Sequence, residues 1–322
     1  MIPFDDSMTR ELFDIFRFVF GLLVLSYASY SDLRSRKVKN SVWIIMGVVG
    51  GIILFFNLFI RDIDNIFYYL LTIGPILILF MYFLTCEYVI DLEKKKVNYP
   101  WLILIILGIS IIIYQIFVFW ENILTNFIYL HLISILLLIF IFYIFYLTNL
   151  LHGGADTKAM MAIAILVPFY PEFAGFPLLK TTFDLPSTIA LQLVFPYALI
   201  ILFNAVILSI FIPIGFAIYN TTKGHFKFPH MFLGYKMDVD IKNAKKFVWL
   251  MERVDDGKLY SVLRPSKVDD LKLEDELKKF QDIGIKKVWV TPQIPFMITL
   301  AIGYVFAFLI GNIMFLIVGL FA

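Results

Sequence analysis

Eight long apolar runs dominate the chain, at about 13–31, 41–60, 66–86, 100–120, 127–151, 157–175, 188–219 and 293–321. A helix needs roughly 20 consecutive apolar residues to cross a hydrocarbon layer about 30 Å thick, and inside that layer every backbone group must be satisfied internally. The runs therefore predict an α-helical polytopic membrane protein with about eight transmembrane helices. Pro168 and Pro171 interrupt the sixth run. The seventh is long enough to tilt, or to kink at Pro196 or Pro213. Composition agrees: of 322 residues, 61% are hydrophobic and only 16% charged, against about 25% charged in a soluble domain. A soluble enzyme is excluded.

Charge is concentrated in one place. Residues Asn220–Thr291 hold 15 Lys/Arg and 11 Asp/Glu. The predicted organisation is a membrane domain over 1–219, a small cytoplasmic α+β domain over 220–291 and a last transmembrane helix over 292–322. Within the insert, Lys246–Met251, Lys258–Arg264 and Lys286–Thr291 read as strands, with a turn at Asp255-Asp256-Gly257. Asp269–Ile283 reads as an amphipathic helix. The insert shows no nucleophile, base and orienter grouping, and so reads as a solvated scaffold.

Lys and Arg set the orientation. Arg34, Arg36, Lys37 and Lys39 follow the first run, Lys94, Lys95 and Lys96 the third, and Lys158 the fifth, all on the side of the insert; the other side has Arg10, Arg61 and Lys180. The positive-inside rule makes the richer side cytoplasmic and puts both termini outside. Met1–Asp14 is acidic and lacks the basic start of a signal peptide, so the first span is expected to stay in the mature protein. A net charge of +2 gives no reason to expect nucleic-acid binding. The single cysteine, Cys86, excludes a disulfide framework or Cys-rich zinc module, and phosphate-loop and dinucleotide glycine patterns are missing. No metal or cofactor is expected.

Acidic residues at membrane depth are costly, so those that remain point to function. Asp32 follows the first run, Asp91 the third, and Asp156 precedes the sixth. Even numbers of spans separate them, which places all three on the cytoplasmic face. Asp156 ends Gly153-Gly154-Ala155-Asp156, with Lys158 two residues on. Small residues there would let a neighbouring helix or an extended peptide approach the backbone. The local alternative is a helix N-terminus capped by Asp156. Two carboxylates brought close together cannot both ionise easily, so one stays protonated while the other is charged. The charged member can take a proton from a water attacking a peptide carbonyl; the protonated member can donate to its oxygen. A helix N-terminus favours the anion, so Asp156 is expected to be the base and Asp32 the donor.

These residues resemble the archaeal preflagellin and prepilin peptidases, membrane aspartyl proteases of the GxGD class. Ser31-Asp32-Leu33-Arg34-Ser35-Arg36-Lys37-Val38-Lys39-Asn40 is similar to the family's first-aspartate segment, Gly153-Gly154-Ala155-Asp156 with Lys158 to its second, and Val288–Phe296 to the C-terminal region of the archaeal branch. The resemblance implies that Asp32 and Asp156 are catalytic and that Gly153, Gly154, Ala155 and Lys158 support them. It implies, as substrates, precursors with a short basic leader and a hydrophobic N-terminal helix, cut at the cytoplasmic membrane face. Ala155 departs from the strict pattern, standing where the second Gly would be. Spans 3 and 4 are additional to the family's six-span enzymes. Asp91-Leu92-Glu93-Lys94-Lys95-Lys96-Val97-Asn98 echoes the Asp32 segment 59 positions later, which makes Asp91 a rival first aspartate.

Lesser candidates read as structural. His152 beside the glycines could polarise the site or simply be a surface histidine. Glu87 and the Asp14/Arg17 pair read as local polar pairings. Lys158 could position Asp156 or anchor its helix to lipid headgroups. Two competing functions are an ion-coupled transporter, which would carry acids near the midplane and paired broken helices, and a Mg²⁺-dependent lipid transferase, which would carry closely spaced acids with several Arg/Lys on one loop.

Overall fold

A computed structural model of the protein describes residues 6–60, 66–85, 90–91, 96–120, 126–148, 150, 153–179, 192–193, 195–239, 247–255, 257–262 and 270–313. The chain divides into two compact units, 1–207 with 296–322, and 208–295.

The first unit is helical. It contains α1 (Asp6–Ser35), α2 (Asn40–Ile60), α3 (Ile66–Thr85), α4 (Tyr99–Val118), α5 (Phe127–Leu147), α6 (Gly154–Leu166), most of α7 (Tyr197–Ser209) and α11 (Phe296–Leu309). Among the described residues six helices are long and apolar enough to cross a membrane: Met8–Ser35, Asn40–Ile60, Ile66–Thr85, Tyr99–Val118, Phe127–Leu147 and Tyr197–Thr222. The expected count was about eight. The difference lies in the sixth and eighth runs. α6 stops after 13 residues at Leu166, just before Pro168. The chain then runs irregularly to a small Phe173–Phe176 bridge. The described part of the last run is the 14-residue α11. The seventh run passes from α7 into α8 (Phe211–Thr222) through Ile210, which keeps helical dihedrals, and Pro213 removes one N–H from the ladder there.

Polar side chains tie the helices together. Gln115 of α4 donates to the Tyr68 carbonyl (2.6 Å) and to Thr72 Oγ1 (2.9 Å) of α3. Asn126 caps α5 by accepting from Tyr129 N–H and donates to Tyr69 Oη (2.8 Å). Where side chains shrink, backbones touch: a Cβ on Gly50 of α2 would sit 2.8 Å from Leu166 Cα of α6, and one on Gly303 of α11 would sit 2.6 Å from Ala205 N of α7. α6 is consequently the most deeply enclosed helix, with every residue from Ala159 to Leu166 buried.

Between α3 and α4 a short antiparallel pair, β1 (Ile90–Asp91) and β2 (Lys96–Val97), sets Asp91 opposite Lys96. The second unit contains α8, α9 (His230–Leu233), β3 (Tyr235–Asp238), β4 (Val248–Leu250), β5 (Glu252–Asp255), β6 (Lys258–Ser261), α10 (Asp270–Asp282) and β7 (Lys287–Pro292). β7 is central to an antiparallel sheet of order β3-β7-β4, and β5-β6 is a separate hairpin. Leu277 and Phe280 of α10 pack on Met237, Val248, Leu250, Val288 and Val290. Three expected strands and the helix match β4, β6, β7 and α10 with shifted ends. β3 and β5 were missed, because their short, mixed stretches carry weak alternation.

Candidate active site

Asp32 and Asp156 lie 124 positions apart in sequence, on α1 and α6. α1 continues past Asp32 to Ser35, so the first aspartate belongs to the helix end and not to the loop. Arg36 closes that helix in a left-handed conformation, φ 55°, donating its N–H to the Asp32 carbonyl at 2.9 Å. This is the single 5→1 bond of a left-handed C-cap. A non-glycine residue pays about 1–2 kcal/mol for the geometry. Ser31 and Ser35 hydroxyls both donate to the Lys37 carbonyl (2.8 and 3.1 Å) and fix the reversal into α2. The turn keeps the Arg36 guanidinium within electrostatic reach of Asp32.

Asp156 is the third residue inside α6. The cap is Gly153, in an extended conformation with no side-chain cap bond, which corrects the reading of Asp156 as the cap itself. The Asp156 carboxylate folds back over Gly153, where a Cβ would run into its Oδ2. At Gly154 a Cβ would meet only Tyr146, at an ordinary 3.5 Å. The two glycines are thus unequal: one makes room for the carboxylate, the other is merely small. Ala155 packs against the core.

Burial pushes the Asp156 carboxyl up to about 7, and the negative charge of Asp32 acts in the same direction. The helix N-terminus pulls the other way and is outweighed. Arg36 offsets part of the burial of Asp32, whereas the charge that acts on Asp156 is that of Asp32. Lys158 does not serve Asp156 as a counter-ion: its Nζ donates to Asn40 Oδ1 at 2.8 Å, and Asn40 Nδ2 donates to the Leu84 carbonyl at 3.2 Å. The lysine therefore links α6 to the start of α2 and the end of α3. That chain borders a cavity of about 720 Å³ lined by Phe83, Tyr143, Tyr146, Gly154 and Lys158, among others. Positions 154, 157, 158 and 161 line it, the face of α6 turned away from Asp156, and span 3 supplies one wall.

Asp91 has a different setting, since its backbone is a strand residue of β1. The echo in sequence is not an echo in conformation. His152 and Glu87 lie outside the described residues. Among the described residues no three His, Cys, Asp or Glu side chains converge as a metal-binding group.

The second unit holds a pairing that sequence reading missed. Ser261 Oγ lies 2.5 Å from His230 Nε2. Only folding brings the two together, across 31 residues, and no local motif marks them. His230 is buried and its Nδ1 has no partner, and burial and Lys227 hold it below the usual histidine range. Glu252, the nearby acid, is taken up by Lys227 Nζ (2.6 Å) and the Trp289 N–H (3.0 Å). Among the described residues no third group orients the imidazole as a nucleophile–base set requires, so the pairing ties β6 to α9.

A pair of acids on a membrane-helix scaffold is one half of the class assignment; the second unit is the other. Residues 226–313 match the family model described as Archaeal Peptidase A24 C-terminus Type II. The chain is 28% identical over 303 residues to the preflagellin peptidase of Methanococcus voltae, covering 92% of this chain and 95% of that protein. It is 26% identical over 230 residues to the preflagellin peptidase of Methanocaldococcus jannaschii, covering 69% and 88%. A further protein of M. jannaschii, uncharacterised, is 25% identical over 89% of this chain. The chain is thus a relative of the archaeal preflagellin peptidases over most of its length, as its aspartate motifs imply, and these relatives support a peptidase.

Proposed function

We propose that the protein is a membrane aspartyl endopeptidase that removes the short basic leader from pilin-like or archaellin precursors at the cytoplasmic membrane face, using Asp32 and Asp156. One observation carries the proposal: two acids from distant helices interact, one with the Arg36 cation offsetting part of its burial and the other more deeply enclosed and pushed up to about 7. This asymmetry reverses the split expected from the helix N-terminus. Asp156 holds the proton, and Asp32 is the anion.

In the first step the Asp32 carboxylate takes a proton from water as the water oxygen bonds to the scissile carbonyl carbon, and Asp156 gives its proton to the carbonyl oxygen. A neutral gem-diol results. Asp32 then returns its proton to the amide nitrogen as the C–N bond breaks, and Asp156 recovers a proton from a gem-diol hydroxyl, leaving acid and amine products. The basic leader and the precursor's hydrophobic helix suit a site at the ends of apolar helices, with the Asp32 carboxylate to attract the leader's positive charge.

The test is leader cleavage by purified protein in detergent, with Asp32→Asn, Asp156→Asn and Asp91→Asn made separately. Loss in the first two and retention in the third supports the proposal; full activity in Asp32→Asn sinks the pair. A chelator should leave the wild-type rate unchanged. A Mg²⁺ requirement would favour the lipid-transferase reading, and proton-coupled flux in liposomes the transporter reading.

A further inference from the structure

The second unit carries an apolar surface that its own core does not use. α8 completes the apolar helical stretch Tyr197–Thr222, which is long enough to cross a membrane, and the chain leaves it through Lys223 and Gly224, the latter left-handed at φ 69°. Exposure then alternates. His225 and Lys227 are half-buried, whereas Phe226 is 70% and Phe228 82% exposed, the period-2 pattern of an extended segment with one side turned outward. Phe232 of α9 meets Phe228 edge-on, ring centroids 6.1 Å apart, and it too is exposed, as is the neighbouring Leu233.

The rings are held outward, because the loop is fastened along its length. The buried Asn220 donates Nδ2 to the Met231 and Gly234 carbonyls (2.9 and 2.7 Å), and its own carbonyl accepts the His225 N–H at 2.9 Å. Thr291 Oγ1 donates to the Leu233 carbonyl at 2.6 Å, and Lys227 turns inward to Glu252 at 2.6 Å. An apolar patch fixed outside a packed core marks a contact surface. The charge around it is basic. Burial, and then Lys236, Lys287 and Lys223, hold His225 below the usual histidine range, so three lysines lie within electrostatic reach of the loop. Glu252 is taken up by Lys227, and Asp238 lies 3.8 Å from Lys287; Lys223 and Lys236 have no carboxylate partner among the described residues.

Phenyl rings flanked by cations suit the boundary of an anionic bilayer, where apolar groups enter the acyl region and lysines meet headgroup phosphates. The position agrees, since the loop begins directly after a helix long enough to span. We infer that Phe226, Phe228 and Phe232 dock on an anionic lipid surface, with the rings at the acyl boundary and Lys223 and Lys236 at the headgroups, so that this loop anchors the second unit to the membrane. The anchor is independent of whether the aspartates cleave a leader.

The experiment is nitroxide labelling of the full-length protein at Phe228→Cys, in a Cys86→Ser background, after reconstitution into vesicles of phosphatidylcholine with phosphatidylglycerol. Lys278→Cys on α10, where the side chain is 57% exposed, gives the reference in water, and Phe226→Cys repeats the reading at a second ring. Accessibility to oxygen relative to a nickel chelate reports depth, and the labels at 226 and 228 should sit about 5–10 Å inside the lipid boundary. Lys223→Gln with Lys236→Gln should lower the ratio of inserted to withdrawn label by about 30-fold, and so should vesicles of phosphatidylcholine alone. The inference is overturned if the labels at 226 and 228 are as open to the nickel chelate as the one at 278. It is equally overturned if they are shielded from both reagents, which would mean that protein covers the rings, or if neither the lysine substitutions nor the neutral vesicles change the ratio.

Discussion

α1 carries ionisable residues toward both ends, and the two groups are built on opposite rules. Toward its start, Glu11, Asp14 and Arg17 pair with one another and with backbone N–H groups. Near its end, Asp32 acts on a second acid, Asp156, that among the described residues has no cation of its own. Like charges held close must share a proton, whereas opposite charges simply hold. In the proposed site the same helix supplies a fastener at one end and one member of a proton-sharing pair at the other. Substitutions should therefore cost stability at the first and rate at the second.

The largest effect is expected at the proton-sharing pair. Asp32→Asn or Asp156→Asn should lower the leader-cleavage rate about 10³-fold while leaving the melting temperature at neutral pH equal to or above wild type. The fastener should behave in the opposite way. Asp14→Asn strands the Arg17 charge at 2% exposure, costing about 3 kcal/mol, seen as a lower melting temperature with per-molecule cleavage retained in the folded fraction. If Asp14→Asn abolished cleavage without destabilising, the division between the two ends would be lost.

The glycines sharpen the picture at the aspartate end. Gly153→Ala drives a methyl into the Asp156 carboxylate and should cost about 10²-fold in kcat by displacing it. Gly154→Ala meets only Tyr146 and should stay within about threefold. Equal losses would mean that the motif works through close backbone packing and not through room for the acid.

Protonation offers a further separation. Asp156 must carry its proton, so cleavage should fall about tenfold per pH unit above a basic limb near 7. The sign for stability follows from the same shift. A carboxyl that binds its proton more tightly when folded contributes stability that is complete below the ordinary carboxylate range, about 4, and lost as pH rises through about 7. The melting temperature of the wild type should decline over that window, and Asp156→Asn should flatten the decline. A curve unchanged by the substitution would place the proton elsewhere.

Membrane-helix class, the position of Asp32 and Asp156 near helix ends and the family likeness were all legible in the sequence, because apolar length and sparse charge are properties of the string itself. Helix continuity was not. Whether the sixth run crosses as one helix depends on how Pro168 is accommodated, and α6 stops short of it. The proposed proton assignment was also out of reach: it rests on the enclosure of α6 and the proximity of Arg36 to Asp32, whereas the local string shows only a helix start beside glycines. The pairing of Ser261 with His230 depends on the register of a hairpin, which short strands of mixed composition do not declare. Asp91 shows the converse limit, since its backbone lies in a strand whereas that of Asp32, its counterpart in the repeated string, lies at a helix end.

The smallest expected effect decides what Lys158 does. Sequence spacing allows it to tune Asp156 by charge or to anchor α6, and its hydrogen bond to Asn40 points to anchoring. Lys158→Gln removes the charge and keeps a donor long enough to approach Asn40. If the lysine only links helices, the substitution should cost about threefold or less in kcat, equivalent to one modest hydrogen bond, and should leave the basic limb where it was. If the lysine instead compensated Asp156, removing it would favour the protonated carboxyl further and move that limb to higher pH. Lys158→Met, which has no donor at all, separates the cases again: a larger rate loss than Lys158→Gln with the same limb is the signature of a link, and equal losses with a shifted limb are the signature of a charge. Asn40→Leu should reproduce the Lys158→Met loss, and the double substitution should add little to either, because both break the same path from α6 through α2 to the Leu84 carbonyl.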